Sequence, residues 1–111
     1  MINIEYERSA LRLTVSGHAC CGAEGEDIVC AAASMLLCAL AENARRLCVA
    51  MPKDYRLSVL RLDKGAGELR VEAERGRAVA ELIFDAFVTG FEMLAGKYPQ
   101  RVKMTVGRDK N

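Results

Sequence analysis

Apolar and polar positions alternate strictly at two places near the start of the chain, Ile2, Ile4 and Tyr6, then Leu11, Leu13 and Val15, with residues 7–10 between them. A period of two puts the apolar set of a strand on one face, so the pattern predicts a β-hairpin. Residues 17–26 are small, polar or glycine and carry no period, which predicts a loop. The spacing then becomes helical. From Val29 onward Ala33, Leu36, Leu37, Leu40, Ala44 and Leu47 form one stripe to be buried, and Asp27 stands where an N-cap belongs.

Met51-Pro52-Lys53-Asp54 breaks that pattern. Leu57-Ser58-Val59 and Leu69-Arg70-Val71-Glu72-Ala73 then alternate around the turn-forming Asp63-Lys64-Gly65-Ala66-Gly67, a second hairpin. Val79, Leu82, Ile83, Ala86, Phe87, Gly90, Met93 and Leu94 follow the spacing of a second helix, with Gly96 suited to stop it and Pro99 beyond. Val102, Met104 and Val106 supply a last strand. The predicted order is ββαββαβ. Because every strand alternates and none is a continuous apolar run, the sheet should bury one face under both helices and leave the other to solvent or a partner. The expected fold class is a two-layer α+β domain with a mostly antiparallel sheet, residues 1–111 forming one domain.

Composition narrows the function. Lys and Arg number 16 against 15 Asp and Glu, so the chain lacks the broad positive field of a nucleic-acid binder and no direct nucleic acid contact is expected. Met1-Ile2-Asn3-Ile4-Glu5 has neither a basic leader nor a long apolar segment, which argues against a secretion signal. The most apolar run, residues 29–40, is too short for a bilayer and is bracketed by Asp27 and Glu42, which suits a core helix and no membrane contact. These features point to the cytoplasm, where the five cysteines are expected as reduced thiols.

The candidate chemistry lies at the loop and the start of the first helix. His18 is the only histidine, and Cys30 follows it by twelve residues in the first helical turn, at the edge of the apolar stripe. A helix start presents unpaired N–H groups and the positive end of the macrodipole, which favour an anionic sulfur, and a neutral imidazole can relay the proton. Taken singly, Cys30 reads as a small buried hydrophobe and His18 as a solvated loop side chain; taken together they are a nucleophile and its base. Cys38 and Cys48, inside the helical pattern, read as buried and inert. Asp27 has two roles open to it, a helix cap or a third catalytic member that orients the imidazole, and its charge opposes the thiolate. Ser34, four residues after Cys30, either touches the thiol region or bonds back to the Cys30 carbonyl. The segment offers no Asn or Gln side chain, so an oxyanion would need backbone N–H donors at the helix start or in the loop.

Other chemistries compete. A zinc cage is disfavoured, because Cys30 and Cys38 lie about 12 Å apart along a helix and Cys20-Cys21 lack a C-x-x-C spacing; no metal and no cofactor are expected. A thiol redox sensor or peroxide-handling protein, with Cys20 or Cys21 as resolving partner, uses the same accessible thiol. A non-catalytic assembly module would hold a peptide on the open sheet face or an edge strand, in ribosome assembly if the family resemblance described next is followed.

The order Gly17-His18-Ala19, Gly25, Asp27-Ile28-Val29-Cys30-Ala31-Ala32 and Ser34 closely resembles the signature of the bacterial ribosomal-processing cysteine proteases, the Prp family. Ala33 departs from it by standing where a larger aliphatic residue is common, and Cys20 and Cys21 occupy a loop where cysteines are not required. The resemblance implies a Cys30 nucleophile, a His18 base, supporting roles for Asp27 and Ser34, and substrate-binding loop positions at Gly17, Ala19, Gly22 and Gly25. It further implies a homodimer acting on the N-terminal extension of the large-subunit ribosomal protein numbered twenty-seven, with bulky apolar or aromatic residues before the cut.

Overall fold

The computed structural model describes residues 1–17, 28–63 and 66–107. Strands β1 (Ile2–Glu7) and β2 (Arg12–Ser16) pair antiparallel around a single 3-10 turn, Arg8–Ala10. The turn closes on Leu11 at φ 49, a left-handed conformation that costs an L-residue about 1–2 kcal/mol. Leu11 is wholly buried, and the apolar area it removes from water offsets that cost. Helix α1 (Ile28–Ala50), the hairpin β3 (Tyr55–Asp63) and β4 (Ala66–Ala73), helix α2 (Arg77–Lys97) and β5 (Val102–Gly107) complete the order ββαββαβ.

The strands form one sheet in the order β3-β4-β2-β1-β5, antiparallel except for the parallel pair β1–β5. Ile2, Ile4, Tyr6, Leu13, Val15, Leu69, Val71 and Val102 are buried on the face that carries both helices. The other face presents Glu5, Arg12, Thr14, Glu68, Arg70 and Lys103, tied across strands by the ion pairs Arg12–Glu68 and, at 2.8 Å, Arg56–Glu72. The alternation of the strands therefore produced the two-layer α+β architecture expected of it.

The local details depart from the sequence pattern in three places. First, a register shift between Leu57 and Val59 sets Leu60 opposite Leu69 and Leu62 opposite Gly67, on the helix-bearing face. Ala66 and Gly67 are consequently part of β4 rather than of a turn, while Lys64 and Gly65 lie outside the described residues. A Cβ at Gly67 would run into Leu37 of α1, so the glycine serves close packing. Second, the buried side chains of α2 are Ala80, Phe84, Val88 and Phe91, while Leu82 and Met93 of the predicted stripe are 70% exposed. This helix is apolar around much of its circumference, so the period identified the helix without identifying its inner face. Gly90 meets α1, where an added Cβ would press on Leu36, and Gly96 lies within the last turn, which ends at Lys97 ahead of Pro99. Third, α1, whose ends agree with the stripe and with the break at Met51, is as a whole helix of 23 residues long and apolar enough by those measures alone to span a bilayer, although the apolar run of residues 29–40 was judged too short. Its inner side, Val29, Ala33, Leu37, Leu40, Ala41 and Ala44, is packed in the core as the stripe predicted, with Leu36 and Leu47 at the margin.

One end of the sheet is closed by charge and aromatic stacking. Where β1 ends, Arg8 pairs with Asp85 at 3.2 Å and Glu81 at 3.7 Å, and Arg77 pairs with Glu81 at 3.0 Å. Beneath them Tyr6 stacks on Phe84 with ring centroids 5.8 Å apart. The Tyr6 hydroxyl is buried without a hydrogen-bond partner among the described residues, and burial, helped by Asp85, pushes its pKa up to about 12.

Candidate active site

At the opposite end of the sheet the first turns of α1 pass over the start of β1 and the tip of the β3–β4 hairpin. With the stripe from Val29 to Ala44 pressed on the core, Cys30, Ser34 and Cys38 succeed one another at four-residue steps along one flank of the helix. All three line a single recess of about 70 Å³. Ala33 and Leu37 of α1, Ile2 of β1 and Val15 of β2 line its inner side, and Leu62, Asp63 and Ala66 of the hairpin contribute the remaining wall with Gly17. Cys30 itself is half-buried and packs against the margin of the core.

Gly17 is required by the backbone. Its φ is +85, and a Cβ would run into the carbonyl oxygen of Met1, so only glycine lets the chain leave β2 this close to the start of β1. It is the last described residue before His18, and Ile28 is the next described residue. The structure thus brings Cys30, Ser34 and Gly17 of the predicted set to one recess. His18, Ala19, Gly22, Gly25 and Asp27 lie outside the described residues, as do Cys20 and Cys21.

The recess is electrostatically quiet among its described residues. Asp63 is the one acidic residue among the described lining residues, and its carboxylate accepts a 2.8 Å hydrogen bond from Arg61 on the same side of β3. The other described lining residues are apolar or neutral. Cys48 is half-buried elsewhere on α1, where burial pushes its thiol pKa up and away from reactivity. Among the described residues no group of three or more His, Cys, Asp and Glu side chains is placed to hold a metal.

Two residues of this region escaped the sequence pattern. Cys38, taken as a buried hydrophobe, is exposed and shares the recess with Cys30. Its spacing from Cys30, twice four residues, carried that signal, because the apolar stripe lies on the adjoining side of the helix. Leu62 gave no signal at all, since the register shift in β3 decides which face it joins.

Comparison with known proteins agrees with this fold. A protein-family model described as cysteine protease Prp matches residues 1–103. The structure is similar to that of an essential ribosomal processing protease Prp from S. aureus, determined with a covalently linked product peptide, at 20% identity and a TM-score of 0.75, covering 96% of this chain and 100% of that one. A second structure of the S. aureus protease, with a substrate peptide, is 19% identical with a TM-score of 0.70 and covers 96% and 100% of the two chains. SMU.848 from Streptococcus mutans is 25% identical with a TM-score of 0.70, covering 97% of this chain and 93% of that one. No curated protein sequence matches.

Proposed function

The chain belongs to the Prp family of cysteine proteases, and from that premise we propose that it is a ribosomal-processing endopeptidase that removes the N-terminal extension of the large-subunit ribosomal protein numbered twenty-seven. The observation that carries this reading is the recess opening on Cys30 at the first turn of α1. The two structures of the S. aureus relative, held with a product and a substrate peptide, support a peptide as its occupant.

His18, which follows Gly17 directly, acts as general base and takes the proton of the Cys30 thiol. The thiolate attacks the scissile carbonyl, backbone N–H groups at the start of α1 receive the oxyanion, and His18 returns its proton to the leaving amine. Water then hydrolyses the thioester. Ser34, one turn beyond Cys30 on the same flank, positions the thiol region. Asp27 either caps the helix or orients His18; Asp27→Asn separates the two, because asparagine caps nearly as well and carries no charge. Gly17, Ala19, Gly22 and Gly25 belong to the loop that meets the peptide. The chemistry needs no metal or other cofactor. The enzyme works in the cytoplasm, without direct nucleic acid or membrane contact, as a homodimer for which exposed Met35, Leu82 and Met93 on the helical layer offer apolar surface.

The test is a peptide spanning the ribosomal protein's N-terminal extension, incubated with the reduced protein and with Cys30→Ser and read by mass spectrometry. A single cut that disappears with Cys30 is the expected result. Intact peptide in both reactions would turn the assignment to thiol redox chemistry or peptide holding.

A further inference from the structure

β3 is the outermost strand on its side of the sheet, and among the described residues only β4 pairs with it. Which of its main-chain groups face outward follows from its neighbours. Val71 of β4 donates its N–H to the carbonyl of Leu11 at 3.1 Å, so Val71, and at steps of two Leu69 and Gly67, turn their main-chain groups toward β2. Their partners on β3, Leu60 and Leu62, accordingly turn their own N–H and C=O groups away from β4, to the free edge. The side chains of the same two leucines are 46% and 47% exposed, and Leu62 is also a wall of the recess that contains Cys30. We propose that this edge, from Val59 to Asp63, is where the substrate docks: an extended peptide adds to β3 as a sixth strand, held by the main-chain groups of Leu60 and Leu62, and continues past Cys30.

The edge is open, bounded and continuous with the site. A bare edge with apolar side chains is a template for pairing, which soluble proteins blunt with proline, charge or a bulge. Residues 59–63 contain no proline, and their two charges, Arg61 and Asp63, are paired with each other at 2.8 Å. The bulge lies just before this stretch, between Leu57 and Val59, and ends the usable edge on that side. On the other side the edge runs into the recess, because Leu62 and Asp63 belong to both. Residues 59–63, at about 3.4 Å each, give about 17 Å of edge to pair with. The opposite edge of the sheet, β5, supplies none of the described lining of the recess, so a peptide paired there would not be led to Cys30. Strand addition takes its affinity from main-chain hydrogen bonds, whatever side chains the peptide carries. It therefore gives the enzyme a grip on several substrate residues on one side of the cut that is separate from any side-chain pocket.

This rests on the protease reading, and the test keeps the two apart. Peptides spanning the ribosomal protein's N-terminal extension, each N-methylated at one main-chain amide other than the scissile one, are compared as substrates by kcat/KM. Methylation of an amide that points at β3 removes its donor and sets a methyl group against the strand, whereas methylation of the next amide leaves the pairing intact. Losses of at least about tenfold are therefore expected at every second residue on one side of the cut. In the protein, Leu60→Pro removes the outward N–H without breaking a bond to β4, and Leu60→Ala keeps it. The proline variant is expected to show a KM at least about fivefold above that of the alanine variant, with thermal unfolding showing that both are folded. Losses without a period of two overturn the docking edge while Cys30-dependent cleavage stands, as does an equal KM in the two folded variants; should the proline variant not fold, the methylation series decides alone. A two-chain mass that falls to one chain in Leu60→Pro gives the edge to a second copy and also overturns it. Absence of Cys30-dependent cleavage overturns the protease reading and the docking edge together.

Discussion

Strand β1 ends in two different environments. Toward Glu7 it meets the Tyr6–Phe84 stack and the four charges of Arg8, Arg77, Glu81 and Asp85. Toward Ile2 it meets a recess that the described residues line without filling, walled by a half-exposed leucine and two thiols. Both ends belong to the same sheet and lie under long helices of similar apolar content. The difference lies in side-chain size. At the Glu7 end α2 brings Phe84 onto Tyr6, whereas at the Ile2 end α1 sets Ala33, with Cys30 and Ser34 on its flank, between Val29 and Leu37. Large rings close the space between helix and sheet at one end, and small side chains leave a recess at the other, so the first is expected to matter more for stability and the second, on the proposed function, for chemistry.

Mutations should sort by this division. Cys30→Ser is expected to lower peptide cleavage by at least about 1,000-fold while changing unfolding free energy by less than about 1 kcal/mol, measured by single-turnover kinetics and urea denaturation. Phe84→Ala should do the reverse, costing about 3–5 kcal/mol of stability through a cavity beneath Tyr6, with Cys30 alkylation unchanged in the fraction that stays folded. A loss below about 1 kcal/mol would erase the contrast between the ends.

The Tyr6 hydroxyl supplies a pH test of the packed end. In the unfolded chain a tyrosine ionises near pH 10, and in the folded one Tyr6 holds its proton to about 12. Above pH 10 the unfolded state therefore binds fewer protons, and stability falls as pH rises through that window, by on the order of 2 kcal/mol from this group. Tyr6→Phe should remove that part of the alkaline decline, as seen by subtracting denaturation curves of the two proteins at pH 9 and above. The smallest effect links the two ends. Gly67→Ala presses on Leu37 and should cost about 1 kcal/mol while weakening substrate binding more than it slows chemistry, a change in KM rather than kcat.

The strands and helices were legible because burial imposes periods of two and of 3.6 residues, and the alternating residues of β1 and β2 could occupy only one face each. What resisted reading were features decided by three-dimensional neighbours. The inner face of α2 depended on which of several apolar sides met the sheet, and Phe84 and Phe91 won it over Leu82 and Met93. Gly67 looked like a turn residue because its reason for being glycine, Leu37, lies thirty positions away. In the site, Cys30 and Ser34 were legible from a local motif, whereas Leu62 joined it through a bulge that no composition announces. Local chemistry was written locally, and the walls around it were not.

The parallel pairing of β1 with β5 has a consequence in time. Ile2, which lines the recess, has its register partner at Val102 and donates its N–H to the Arg101 carbonyl at 2.8 Å. A ribosome making this chain releases β5 a hundred positions after β1. Until β5 arrives, β1 is an edge strand and the floor beneath Cys30 lacks its outer support, so the nascent thiol waits beside a half-built pocket. The fold thereby delays completion of the recess until β5 has been made, at the cost of a long-range contact that slows folding.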